Sequence, residues 1–271
     1  MSGPPPRAVA IRHLHSDEDY EACVRLQVET WGPGYTDTVP ASLLRVTQHI
    51  DGLVAGAFDA GGAMVGFIHG LTGFLEGELI HWSHMLAVTP AWRRQGIGRR
   101  LKEYQRESLR DSPVRAICWT FDPLVAAHAR RNLLRLGAEV RGYLLDAYPN
   151  TGSTLHAFGT DRLVARWPIH EPAESVPAAA ADAHADAPVL NDAGDRRLSL
   201  EGTASIVRIE IPSDIASLAS RSLADARIWR AGTRQAFTRA FEAGYRVRGY
   251  AEHDGRCFYI LAHEAAEAEA C

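Results

Sequence analysis

The sequence predicts an α/β (α+β) chain: a mixed sheet flanked by helices, followed by a smaller C-terminal α/β lobe. Three observations carry this. The apolar, strand-like run Ile80 to Val88 (IHWSHMLAV) leads through Arg93-Arg94-Gln95-Gly96-Ile97-Gly98 into the helix-patterned stretch Arg99 to Leu109. Two further strand-like runs, Leu53 to Phe58 and Ala63 to Leu71, flank Gly61-Gly62, a strong hairpin signal. From Glu171 to Ala193 the composition shifts to Ala, Asp and Pro, and strand and helix patterns resume after it.

Taken in order, Val9 to Ile11 read as a short first strand, and Ser16 stands where it can cap a helix over Asp17 to Thr30. Pro40 to Ile50 is a second helical stretch, before the hairpin and the strand–loop–helix unit. Val114 to Phe121 is a further strand, ended by Asp122-Pro123. An aspartate N-cap followed by proline at the first helical position predicts a helix there, running over Val125 to Leu136 and closed by Gly137. Ala138 to Tyr143 reads as a strand. The C-terminal lobe is expected to hold a strand at Ile206 to Ile211, a helix over Leu223 to Ala243, and a strand pair from Tyr245 to Ala262 turning at Asp254-Gly255. The domain reading is a core over residues 1–170, a flexible linker or insert over 171–200, a C-terminal extension over 201–263 and a tail over 264–271.

Bulk properties narrow the function classes. A hydrophobic fraction of 46% with 23% charged residues describes a soluble globule with a sizeable core. The net charge of −4 argues against nucleic acid as a partner. Cys23, Cys118, Cys257 and Cys271 show no metal-ligand spacing, so buried or idle thiols are expected and no metal. The chain has no apolar run long enough to span a bilayer and its N-terminus lacks the apolar core of a secretion signal, so no membrane partner and a cytoplasmic location are expected.

The stretch from Arg93 to Gly98 has the make-up of an anion site. Backbone N–H groups at a helix start are unpaired, glycines allow close approach, and arginines add charge-assisted hydrogen bonds. A Walker-type loop requires a Gly-Lys pair, which the chain lacks. A dinucleotide fingerprint requires a third glycine, where this chain has Leu101. What fits is R-x-x-G-x-G, in Arg93, Gly96 and Gly98. Ser83 to Lys102 (SHMLAVTPAWRRQGIGRRLK) resembles the fourth strand, pyrophosphate loop and third helix of the GNAT acyltransferases. WTFDPL (Trp119 to Leu124), RRNLLRLGAEVRGY (Arg130 to Tyr143), GTDRLVARW (Gly159 to Trp167), VRIEIPSDI (Val207 to Ile215) and WRAGTRQAF (Trp229 to Phe237) resemble a branch of predicted GNAT acetyltransferases with a C-terminal extension. The resemblance covers most of the chain outside the alanine-rich segment.

The resemblance implies a GNAT-type, mostly antiparallel sheet, and acetyl-CoA or another acyl-CoA as co-substrate. It implies that Leu86, Ala87 and Val88 run beside the pantetheine arm, where the fourth and fifth strands part. The pyrophosphate would take the segment Arg93, Arg94, Gln95, Gly96, Ile97, Gly98 and Arg99. Asn132 is the candidate for a further CoA hydrogen bond, its alternative being a polar residue on an exposed helix side. For the general base there are two candidates on the strand. His84 has an ordinary pKa near neutrality, and its alternative is a packed core histidine. Glu78 matches a strand position where the family often carries a carboxylate, and its alternative is an exposed strand-end residue. On a regular strand Trp82, His84 and Leu86 share one face and His81 and Ser83 the other, so His81 and His84 cannot share a metal unless a bulge intervenes. The family's usual general-acid tyrosine is replaced by Leu133. Arg162, and Arg230 with Arg234 one helical turn apart, are candidates to clamp a substrate carboxylate; a solvated helix face is the alternative.

The function expected is CoA-dependent N-acyl transfer, acetyl or larger, to a small-molecule amine such as an amino acid; a homodimer is left open. Because of Leu133, a non-catalytic acyl-CoA-binding regulatory module stands as the alternative.

Overall fold

Ser16 opens the first helix as its sequence suggests. In the structure, a computed structural model describing residues 8–148, 157–170, 184–191 and 204–264, the Ser16 hydroxyl accepts from Asp19 N–H while the Asp19 carboxylate accepts from Ser16 N–H. This reciprocal cap satisfies two donors at the start of α1 (Asp17–Trp31). Arg12 also donates to Asp19, and that bond holds the carboxyl down at about 2.

The chain divides into two compact units. The first holds, among the described residues, 8–119, 157 and 168–170. Its strands are β1 (Ala10–His13), β2 (Leu53–Phe58), β3 (Met64–Leu75), β4 (Glu78–Val88) and β5 (Ala116–Phe121), the last continuing beyond the unit at Thr120. They lie in sequence order, the first four antiparallel and β5 parallel to β4. A mixed, mostly antiparallel sheet flanked by helices is the fold class expected. α2 (Ala41–His49) packs with α1 over one apolar cluster that includes Leu14, Leu44, Phe67, Met85 and Ala87. α3 (Ile97–Ser108) covers another, including Leu53, Ile68, Ile97 and Leu101.

The register of β3 against β4 slips between His69 and Gly70: His69 faces Met85, but Gly70 faces Ser83. His84 is therefore the extra residue of a β-bulge, and the slip flips every side chain after it. Ahead of the bulge His81 points to α3, where it meets Gln105; beyond it Leu86 and Val88 do so, packing with Ile97 and Leu101. The regular alternation, which groups Trp82, His84 and Leu86, is thus corrected: Trp82 packs instead with Ile80, Ala116 and Cys118.

The second unit holds, among the described residues, 120–148, 158–167, 184–191 and 204–264. β6 (Glu139–Leu144) pairs antiparallel with β7 (Arg162–Pro168). A separate antiparallel sheet has the order β8-β10-β9, from β8 (Ile206–Ile211), β9 (Tyr245–His253) and β10 (Arg256–His263). Between β8 and β9 stand the short α5 (Ile215–Arg221), which the sequence pattern did not announce, and the long α6 (Leu223–Glu242). Residues 188–191 lie along β8, with Val189 bridged to Arg208 and Leu190 N–H bonded to Arg208 O at 2.8 Å. Residues 171–183 and 192–200 of the expected linker, and nearly all of the tail, lie outside the described residues.

The Asp-Pro signal works differently from the expected helix cap. Asp122 accepts from Leu124 N–H at 2.9 Å in a tight turn, and the helix begins later as α4 (Ala126–Ala129), capped by no side chain. It then widens into a π-helical stretch, Arg130–Arg135, with Leu136 N–H bonded to Arg131 O.

Candidate active site

The two edges of β4 are used differently. Thr89 N–H donates to Val65 O, which extends the β3–β4 ladder. Antiparallel ladders alternate, so Ala87 and Met85 turn their backbone groups toward β3 while Leu86 and Val88 turn theirs to the other side. On that side β5 pairs with β4 only from Ile80 to Trp82. The backbone groups of Leu86 and Val88 therefore face an edge that no described strand of β4's register with β5 occupies. Strand-like pairing by an extended ligand with amide groups fits such an edge.

The same edge leads into the start of α3. Arg94 takes a positive φ of 63°, and Gly96, the residue before the first helical turn, takes 79°, a left-handed conformation that suits glycine. No side chain caps α3, so the N–H groups of Ile97, Gly98 and Arg99 keep their capacity for an anion. The first helical bond runs from Arg100 N–H to Gly96 O. The arginines divide into two kinds. Arg93 Nε donates to Val88 O at 3.0 Å, and Arg99 Nε is paired with Glu103 at 2.6 Å, so both are partly occupied in building the loop. The Arg94 side chain is exposed. Gln95 is tied to Ala91 O. The donor set is what a pyrophosphate requires: backbone N–H groups on a helix axis with cationic side chains around them.

His84 sits on the bulge with its side chain exposed, yet enough protein surrounds it that desolvation lowers its pKa, opposed by Asp37. Its ring meets that of His69 edge-on, 5.6 Å between centroids. Glu78, the other candidate base, stands at the opposite end of β4, paired with Leu75 beside the Glu76-Gly77 turn. Six residues of strand, roughly 20 Å, separate it from His84. The structure does not bring the two together. His81 is wholly buried, its Nδ1 3.0 Å from Thr72 Oγ1 and its Nε2 3.1 Å from Gln105, and burial pushes its pKa down to about 3. The bulge does occur, but His81 and His84 do not converge on a metal, and the described residues contain no group of three or more His, Cys, Asp or Glu able to hold one.

The remaining candidates fall in the second unit. Asn132 is buried on the π-helical stretch, its Nδ2 without a partner, beside the buried Leu133. Arg162 and Arg230 meet at one buried carboxylate, Asp122, at 3.6 Å and 2.7 Å. Arg234, half-buried, donates to Asp161 at 2.8 Å and to Asp146 at 2.6 Å. Asp161 also accepts from Tyr143, whose hydroxyl pKa is raised by burial first and by Asp161 next. Sequence reasoning found the arginines but missed that they have internal partners.

Sequence reasoning also missed Thr47 behind His69, and His69 and Asp37 beside His84. They come from α2, β3 and the loop before α2, and no local pattern joins them.

Residues 52–133 match the family model described as an acetyltransferase (GNAT) domain. No curated protein matches the sequence. Solved structures of similar fold include the ribosomal-protein-S18-alanine N-acetyltransferase from Escherichia coli, 20% identical, covering 62% of this chain and 99% of that one with a TM-score of 0.46. Ard1 from Thermoplasma volcanium is 18% identical over 60% of this chain and 99% of its own, with a TM-score of 0.46. An aminoglycoside 6'-acetyltransferase type Ii is 19% identical over 60% and 99%, with a TM-score of 0.47. Likeness at this level bears on no substrate, and the match to the acetyltransferase (GNAT) domain model spans residues 52–133 alone. No helix among the described residues is long and apolar enough to cross a membrane.

Proposed function

We propose that this chain, whose residues 52–133 match an acetyltransferase (GNAT) domain model, moves an acetyl group from acetyl-CoA to the amine of a small, amino-acid-like acceptor. The observation that carries this is the continuity of one edge: the outward backbone groups of Leu86 and Val88 run directly into the uncapped start of α3. The first suits the amides of a pantetheine arm, and the second suits a pyrophosphate. Arg94 and the N–H groups from Gly96 to Arg99 would hold the phosphates. The Leu86 N–H would polarise the thioester oxygen.

Acetyl-CoA supplies an activated acyl group whose thiolate can leave. His84 takes the proton from the acceptor amine as nitrogen bonds to the acyl carbon and the carbon–sulfur bond breaks. Its lowered pKa supports the role by keeping the ring neutral at pH 7. Leu133 offers no proton to the departing sulfur, so water is the proposed acid.

Gly96→Asp tests the binding half. It places a side chain and a negative charge at a residue with φ of 79°, and CoA affinity measured by calorimetry should be lost with the fold retained. Unchanged affinity would overturn the assignment. The second reading, a regulatory module that binds acyl-CoA without turnover, is favoured by Leu133 alone. Release of free CoA in the presence of an amine panel separates the two.

A further inference from the structure

The direction of one buried hydrogen bond can be worked out by counting protons. The Thr47 hydroxyl has a single proton and donates it to Leu43 O at 2.9 Å, one turn back in α2. The same oxygen lies 3.2 Å from His69 Nε2. It must accept there, so His69 carries its proton on Nε2. Burial, and then the neighbouring His84, push the His69 pKa down to about 4, so the ring is neutral at pH 7. Its Nδ1 is then a bare acceptor. That nitrogen is buried, in a residue only 1% exposed, and has no partner.

A buried acceptor without a donor costs free energy, and the adjacent His84 ring carries an N–H that can serve as that donor. His84 stands edge-on to His69, with ring centroids 5.6 Å apart and planes at 83°. The bulge brings it there, because His69 and Gly70 face Met85 and Ser83 and leave His84 turned out of the ladder. Thr47 fixes the ring of His69 from behind, so the acceptor cannot rotate away.

We infer that His69 is the positioning residue for His84. Its Nδ1 accepts from one ring N–H of His84, directly after a small turn of that exposed ring or through one water. This fixes the neutral tautomer in which the other His84 nitrogen is bare and free to take a proton from the amine. The inference rests on His84 being the base in the reaction proposed above, and it adds the residue that selects the base's tautomer.

The test reads the tautomer without relying on activity. Imidazole nitrogen NMR on the full chain should show His84 as a single neutral tautomer in the wild-type protein. In His69→Phe, which keeps the ring but removes its acceptor, His84 should become a mixture. Turnover should fall about tenfold, less than the ~10²–10⁴-fold of losing a base outright, with the KM for acetyl-CoA unchanged. His69→Gln, whose amide can donate to Thr47 and accept from His84, should restore both the single tautomer and most of the turnover. The same His84 tautomer ratio in wild type and His69→Phe would overturn the inference. A changed tautomer with unaltered turnover would instead remove His84 as the base, and the positioning role with it.

Discussion

Arg230 donates to the buried carboxylate of Asp122 at 2.7 Å, joining residues 108 positions apart in sequence. Both are nearly inaccessible, and Arg162 approaches the same oxygen at 3.6 Å. Removing Arg230 leaves the buried Asp122 charge with only the longer approach of Arg162. Arg230→Met is therefore expected to cost about 3–5 kcal/mol in urea unfolding. Asp122→Asn combined with it should cost less than the sum of the two single changes, because each single change already removes the bond between the two. Additive losses would show that the two residues are not coupled.

Gly70 is required by its neighbour. A Cβ there would stand 2.2 Å from His81 Nε2, 2.8 Å from Trp82 O and 3.0 Å from Gln105 Nε2. His81 cannot swing aside, since Thr72 and Gln105 hold both its nitrogens. Gly70→Ala should destabilise the first unit by about 1–3 kcal/mol or more, read as a lower thermal midpoint. Adding His81→Ala should recover part of the loss, and Trp82 O sets the remainder.

Three histidines, His69 and His81 buried and His128 half-buried, set an acid limit on stability. Burial holds His69 at about 4, and His81 and His128 at about 3, against an ordinary value of 6.5. Below 6.5 the unfolded chain takes up these protons and the folded chain does not. Stability is therefore full above that point and falls as pH drops, until 4 for His69 and 3 for the others. The slope is up to about 1.4 kcal/mol per pH unit for each histidine. Denaturant unfolding at pH 7, 6 and 5 measures it, and His81→Gln should flatten the curve.

As the proposed base, His84 would give the reaction its own pH signature. Desolvation lowers its pKa, so the acidic limb of kcat/KM should lie below 6.5. His84→Ala should cut turnover by ~10²–10⁴-fold and abolish that limb while CoA affinity stays within about twofold. A limb that survives the substitution would take the role away from His84. Asp37→Asn should move the limb further down, because the aspartate is the group that raises the His84 pKa.

The features legible in the residues alone are local. Ser16 with Asp19, the glycines of the hairpin, the alternation of β8 and the run from strand through Arg93 and Gly96 into α3 are each settled by residues within a few positions of one another. Backbone conformation and nearby hydrogen bonds decide such features, and residue types announce them. Tertiary structure decided the rest. The bulge at His84 depends on how β3 lies against β4, and it reverses the faces that simple alternation assigns. Burial keeps His69 neutral, and Thr47 on α2 decides which of its nitrogens is left bare. Asp122, read locally as a helix cap, belongs to Arg230. These are long-range meetings of buried polar groups: burial makes each need a partner, and only the fold determines which partner it finds.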